Sequence, residues 1–446
     1  MPIQILAVGG YGEVGKNMTA VQVDDDIVIF DMGLHLPNYI KYTEEELGEV
    51  VRLSAEELRN ARAIPDDRTL QKLTGKVVAI VAGHAHLDHI GAIPYLAAKY
   101  DVPIICTPYT AAVLRAILKD ERIKLPNKII ELEPDTSMKL SKKVELEFIN
   151  ITHSVPQSVI SMLSTRHGRI AYTCDFKLDN SPTIGKKPSY EALRKAGKEG
   201  VLVAIFDSLY AHEHRKTPSE AVARELLKDV LLGIDSRGKA IVITTFSSHI
   251  ARLKAIVELA RKLGRKPVFL GRSLAKYVFA AEEVGLVRFS DEVEIAKYAA
   301  QTRKKLLHVV KMGKEKYLLV VTGHQGEPKS TLAKMVRGAL PFKWTQGDFV
   351  IFSSNVIPAQ PNLTYRKQIE DELKALGVRV FTNVHVSGHA AREDMRDLIG
   401  LLKPEHLIPA HCEPRGLSAF IELAKEMGYE ADKTVHILKL GQTLTI

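Results

Sequence analysis

The chain has 446 residues, with 62 Lys+Arg against 53 Asp+Glu for a formal net charge of +9; 46% of its residues are hydrophobic and 26% charged. That balance excludes a disordered or fibrous chain, and the length predicts two or three domains, each able to bury a core. The longest apolar run, VVAIVAG at 77–83, is far short of the roughly 18 residues a membrane-spanning helix needs. The opening MPIQILAVGG has no basic region or cleavage site, so no leader is expected. Three scattered cysteines, Cys106, Cys174 and Cys412, make no disulfide framework and predict a reducing, cytoplasmic setting.

In chain order, IQILAV, the alternating Met18 to Val23 and IVIF ending at Asp31 predict three strands. Between the first two lies Gly10-Tyr11-Gly12-Glu13-Val14-Gly15, which fits the dinucleotide pattern G-x-G-x-x-G. That pattern requires a helix after the loop, whereas Thr19, Val21 and Val23 alternate as in a strand; a tight glycine hairpin is expected instead. Residues 37–69 form a polar, Glu-rich excursion of unassigned purpose. VVAIVAG precedes a helix near 91–100, and VELEFINIT, SVISMLST, RIAYTCD and VLVAIFDS predict further strands. From about 210 the pattern becomes βα alternation: helix 219–231, strand AIVITT, helix 249–264, strand PVFLG, helices 273–284 and around 291–306, then YLLVVTG and DFVIFSS. Such alternation predicts a parallel sheet wrapped by helices. VRVFT, helix 391–402, HLIPA, helix 415–427 and a strand TVHIL complete the chain.

The segment Gly83-His84-Ala85-His86-Leu87-Asp88-His89-Ile90-Gly91 follows an apolar strand and precedes a helix. His84 and His86 are two apart and share one side of an extended backbone, while Asp88 and His89 come after the turn and can serve a second ion. Three imidazoles and a carboxylate within six residues are costly to bury without metal. Further candidates stand at strand ends: His153 after VELEFINIT, Asp175 after RIAYTC and His411 after HLIPA. The neighbouring Cys174 and Cys412 are expected to point away from the metals as small core residues, because adjacent strand residues face opposite sides.

H-x-H-x-D-H after an apolar strand, with Asp31 before it and His153 and Asp175 after it, is similar to the metallo-β-lactamase superfamily. A long α/β insertion after Asp207, then VHVSGHA (His385, Ser387, Gly388, His389) and IPAHCEPR (His411), resembles motifs A, B and C of its β-CASP branch, whose members cut nucleic acids. VHVSGHA, VTGHQGEP, FSSNVIP and the opening GGYGEVGKN look most like ribonuclease J, in particular its archaeal forms. The chain stops at Ile446, without the extra C-terminal domain of bacterial forms, and has Ala-His-Cys-Glu where relatives often have Val-His-Gly-Glu. The resemblance implies an αββα sandwich (residues 1–208 and 361–446) interrupted by a β-CASP α/β domain (209–360).

It also implies two zinc ions, with manganese or magnesium as possible substitutes. His84, His86 and His153 would hold one, Asp88, His89 and His411 the other, and Asp175 would bridge. Together the ions would activate a water to attack a phosphodiester. His389 would help the leaving oxygen, Asp207 would orient a neighbouring histidine, and Asp31 would support a ligand from behind. Implied activity is 5′→3′ removal of nucleotides from single-stranded 5′-monophosphate RNA, with endonucleolytic cuts as a second mode and a homodimer as the assembly. Ser353, Ser354, His385, Ser387, Gly388 and His389 would meet RNA and its terminal phosphate. The alternatives are an endoribonuclease of the cleavage-and-polyadenylation type and a small-molecule hydrolase on the same fold. Charge favours RNA: residues 209–360 carry 26 Lys+Arg against 14 Asp+Glu, and everything outside them nets −3.

Overall fold

The computed structural model describes residues 3–43, 53–357 and 361–446. Part of the 37–69 excursion, residues 44–52, lies outside the described residues. The chain divides into two compact units: residues 1–180, 186–217 and 388–446 form the first, and 181–185 with 218–387 the second.

Two sheets make the first unit. In one, strands Gln4–Gly9, Met18–Val23 and Asp26–Phe30 run antiparallel, Thr443–Thr445 pairs at one edge, and Lys76–Ala82, Ile104–Cys106 and Ile129–Glu131 extend the other edge in parallel. The hairpin pairs Ala7 with Thr19 and Gly9 with Met18. Gly10, Gly12 and Gly15 turn it with φ of 84°, 72° and 83°, the left-handed region that glycine enters without a Cβ penalty. A strand, not a helix, follows the glycines, so the dinucleotide reading is excluded. The second sheet orders His406–Ala410, Val203–Asp207, Gly168–Tyr172, Val159–Thr165, Glu145–Asn150 and Thr136–Lys139. Its first three strands are parallel.

The sheets face each other over one apolar core, in which Phe30 stacks on Tyr172 with centroids 4.8 Å apart. On its other face the second sheet packs against helices Tyr190–Glu199, Arg392–Leu402 and Pro414–Glu426 through Leu193, Leu398 and Phe420. Because both faces of this second sheet are covered, strands such as Val203–Asp207 are buried along their whole length.

The second unit is one six-stranded sheet, all parallel, ordered Glu294–Ala296, Lys266–Leu270, Tyr317–Val321, Ile241–Thr244, Phe349–Phe352 and Arg379–Phe381. The expected end of the inserted domain at 360 falls short of this unit. Helix Asn362–Ala375 buries Ile369 and Leu373 in its core, and Arg379–Phe381 pairs with Phe349–Phe352. Its start is later than 209, since Thr217 stays with the first unit by bonding His389 O through Oγ1 and Asp394 through its N–H.

Three other expectations also change. The helix near 91–100 is broken into Leu87–Ile90, Ile93–Leu96 and a 3-10 turn, with Gly91 capping the first piece and Pro94 in the first turn of the second. The helix placed around 291–306 begins at Ala299, after the edge strand Glu294–Ala296. TVHIL makes only isolated bridges through Val435.

Candidate metal centre

Several site residues stand just past the carboxyl ends of strands, where the chain turns and the regular side-chain alternation stops. Asp31 follows Asp26–Phe30 with φ 60°, Cys174 and Asp175 follow Gly168–Tyr172, and His411 follows His406–Ala410 with φ 53°. His84 leaves Lys76–Ala82, His86 caps the helix Leu87–Ile90, and Asp88 and His89 lie within that helix. Gly33 lets the next loop close on this turn: a Cβ there would lie 1.6 Å from Asp88 O.

Asp175 is the centre. It is buried, and neither carboxylate oxygen has a hydrogen-bond partner among the described residues. Five imidazole Nε2 atoms surround it instead: His89 at 3.2 Å, His84 at 3.4 Å, His153 and His389 at 3.8 Å, and His411 at 3.9 Å. Burial drives its pKa up, but the imidazoles, His89 foremost, hold it well below the usual carboxylate range. His84, His86, His153 and Asp175 can offer one ion a ligand atom each, as can Asp88, His89, Asp175 and His411 a second. A buried carboxylate without ordinary partners, shared by two nitrogen-rich sets that lack thiolates, fits a pair of metal ions of the zinc type.

Behind the ligands, other side chains fix which nitrogen points inward. Asp31 accepts from His89 Nδ1 at 2.7 Å, and also from Tyr172 OH at 2.9 Å and Gly83 N–H at 3.1 Å. His153 Nδ1 donates to Gly388 O at 2.8 Å, and His411 Nδ1 to Asn17 Oδ1 at 2.9 Å. Burial and the neighbouring His84 push His86 well below the ordinary imidazole value, and burial and His389 do the same for His153. Neutral imidazoles keep the lone pair that a metal needs. His389 differs. Burial pulls its pKa down, but the carboxylates of Asp175 and Asp207 outweigh burial and raise it to about 9. Asp207 Oδ2 lies 3.0 Å from its Nδ1, and its ring stacks on that of His411 at 5.6 Å.

Cys174 corrects an expectation. Its Sγ lies 3.0 Å from His84 Nδ1 and 3.5 Å from His89 Nδ1, against the backs of two ligands rather than away from them. The strand ends at Tyr172, and Cys174 has φ 53°, so strand alternation does not apply to it. Asn17 and Tyr172 escaped the sequence reading. Asn17 stands in GGYGEVGKN, but an Asn after a glycine turn carries no ligand signature of its own. Ser353, Ser354, His385 and Ser387 belong to the second unit, and Gly388 and His389 to the first.

An α/β sandwich with a paired His/Asp metal site at its strand ends, carrying an inserted parallel α/β unit, defines a metallo-β-lactamase-type hydrolase of the β-CASP branch. Three family descriptions match: "Beta-lactamase superfamily domain" over residues 56–190, "Ribonuclease J, beta-CASP domain" over 238–369, and "Zn-dependent metallo-hydrolase RNA specificity domain" over 376–437. The chain is 44% identical over 446 residues to Ribonuclease J of Methanocaldococcus jannaschii, spanning 100% of this chain and 99% of that one. It is 43% identical to Ribonuclease J of Pyrococcus abyssi, spanning 100% and 97%, and 32% identical to Ribonuclease J2 of Bacillus subtilis, spanning 96% and 72%. A solved structure titled as a protein of unknown function from Enterococcus faecalis superposes with TM-score 0.66 at 18% identity, covering 100% of both chains, which speaks to the fold alone. The chain belongs to the ribonuclease J family.

Proposed function

We propose that this protein hydrolyses RNA phosphodiesters with two zinc ions, working mainly 5′→3′ from a 5′-monophosphate end and also cutting internally. The observation that carries the reading is Asp175, a buried carboxylate ringed by five imidazole nitrogens. His84, His86 and His153 would hold one ion, Asp88, His89 and His411 the other, and Asp175 both. When bound, such ions lower the pKa of water and offset charge on a phosphate.

The rest is supplied by the chain. Asp31, Asn17 and Gly388 O hold His89, His411 and His153 with Nε2 turned inward. Asp207 holds His389 by Nδ1 and favours its charged form, so Nε2 carries a proton for the departing 3′ oxygen. The proposed RNA contacts are Ser353, Ser354, His385 and Ser387 in the second unit, with Gly388 and His389 in the first. Ser354 supports this role, because its Oγ is buried without a partner among the described residues.

The full chain is expected to be a cytoplasmic homodimer; among the described residues no helix is long and apolar enough to cross a membrane. A sedimentation mass of one chain would exclude the dimer. A time course on 5′-labelled RNA, with metal analysis of the same sample, tests the activity. Single-nucleotide release from 5′-monophosphate RNA, with 5′-triphosphate RNA resisting, is expected. Equal decay of both substrates would remove the terminal-phosphate preference, and labelled fragments alone would leave an endonuclease.

A further inference from the structure

Arg252 is fully buried inside the second unit, where a guanidinium is costly unless every donor finds a partner. On one side it forks onto Glu220, with Nε to Oε1 at 2.6 Å and Nη2 to Oε2 at 2.9 Å. His249 Nε2 meets the same carboxylate at 3.1 Å. On the other side Nη1 reaches Ser353 Oγ at 2.7 Å, Ser353 O at 3.0 Å, Val384 O at 3.4 Å and His385 Nδ1 at 3.3 Å. Ser353 Oγ donates onward to Val384 O at 2.7 Å, and Thr245 Oγ1 donates to Ser353 O at 2.9 Å. One side chain thus ties the start of helix Ile250–Lys262 to the end of strand Phe349–Phe352 and to the segment carrying His385. These groups gather at the carboxyl ends of parallel strands, the edge where open α/β sheets take ligands.

The contact with His385 has a direction. A guanidinium has only donors, so Nδ1 accepts and the ring proton belongs on Nε2. Burial and the facing guanidinium push the pKa of His385 down to about 2, so the ring stays neutral. Phe246 at 6.0 Å and His249 at 6.4 Å flank the ring, which also meets the Ser353 backbone, so the guanidinium and that carbonyl compete to set the tautomer.

We propose that Arg252 is a positioning residue that fixes His385 with its proton on Nε2, presenting one donor of set direction to an oxygen of the RNA. The inference rests on the ribonuclease reading for its ligand; the position of the proton does not.

Long-range 1H–15N correlation on the metal-loaded full chain labelled at histidine reads the tautomer, with His385→Gln assigning the signal. An acceptor-type Nδ1 and a protonated Nε2 are expected. Arg252→Lys keeps a charge but not the fork, and should mix the tautomers and raise KM for RNA about tenfold, the loss of one charge-assisted hydrogen bond. The kcat, the metal content and the turnover of bis(p-nitrophenyl) phosphate should hold. Arg252→Met strands Glu220, so the pair Arg252→Met with Glu220→Gln serves as the folding-safe variant and should show the same KM rise. His385→Ala should match that rise, while His385→Gln, which returns an N–H near Nε2, should recover most of it. A protonated Nδ1 in the unaltered protein, or an unchanged KM in the Arg252 variants and His385→Ala, overturns the proposal. A protein inactive on RNA would overturn the ribonuclease reading, and the spectra would still decide where the proton sits.

Discussion

Cys174 holds a left-handed backbone conformation that costs a residue with a Cβ about 1–2 kcal/mol, and its thiol lies against His84. The same thiol explains the residue before His84: a Cβ on Gly83 would come within 2.7 Å of Cys174 Sγ. Gly83→Ala is therefore expected to destabilise the native protein, and to do so much less when Cys174→Gly has already removed the obstacle. A double-mutant cycle in equilibrium unfolding should give a coupling above about 0.5 kcal/mol, whereas additivity would show that the two sites do not press on one another. The inward and outward sides of the cluster should also separate. Asp88→Ala removes a proposed ligand and should lose metal together with activity. His389→Ala should keep its metal and lose about 10²- to 10⁴-fold in kcat, the usual contribution of a placed acid. Full turnover by His389→Ala would take it out of the mechanism.

Among the elements, the excursion after the third strand was the least legible, and its described part shows why. Helix Ala55–Asn60 is six residues long and closed by a Ser54/Glu57 capping box, too short to display a period. It is held from a distance. Buried Asp67 accepts from Arg59 Nη2 at 2.7 Å, from Lys99 Nζ at 3.0 Å and from Tyr100 OH at 3.0 Å. Asp67→Ala should cost about 3 kcal/mol in chemical denaturation by leaving those donors unmatched, with metal content unchanged. A loss of metal at unchanged stability would instead tie this excursion to the site. The H-x-H-x-D-H turn was legible because all its chemistry sits within six residues. Asn17, Tyr172 and the true contacts of Cys174 were not, since they depend on where strands end and which loops meet. The apolar strands showed plainly, yet periodicity could not tell that Arg379–Phe381 continues the inserted sheet.

At the scale of the molecule, the charge follows the compact units. The second unit holds 28 Lys+Arg against 16 Asp+Glu, a net of +12, and the first nets −3. Two divalent ions would cancel the deficit of the first unit, so the larger excess, on the insertion, is the main source of attraction for RNA. Helix Ala299–Met312 is the clearest place for it, with Arg303, Lys304 and Lys311 all exposed on one face. Lys305 is a poorer choice, being paired with Glu294. Reversing Arg303, Lys304 and Lys311 to Glu should weaken RNA binding about equally for all sequences, because phosphate contacts carry no base identity. Every cation so reversed should also lower the slope of log affinity against log salt by about 1. Turnover of bis(p-nitrophenyl) phosphate, too small to reach such a face, should be untouched. If the triple reversal leaves affinity and salt slope as they were, the helix is only a solvated face, and the RNA path must be sought elsewhere on the second unit.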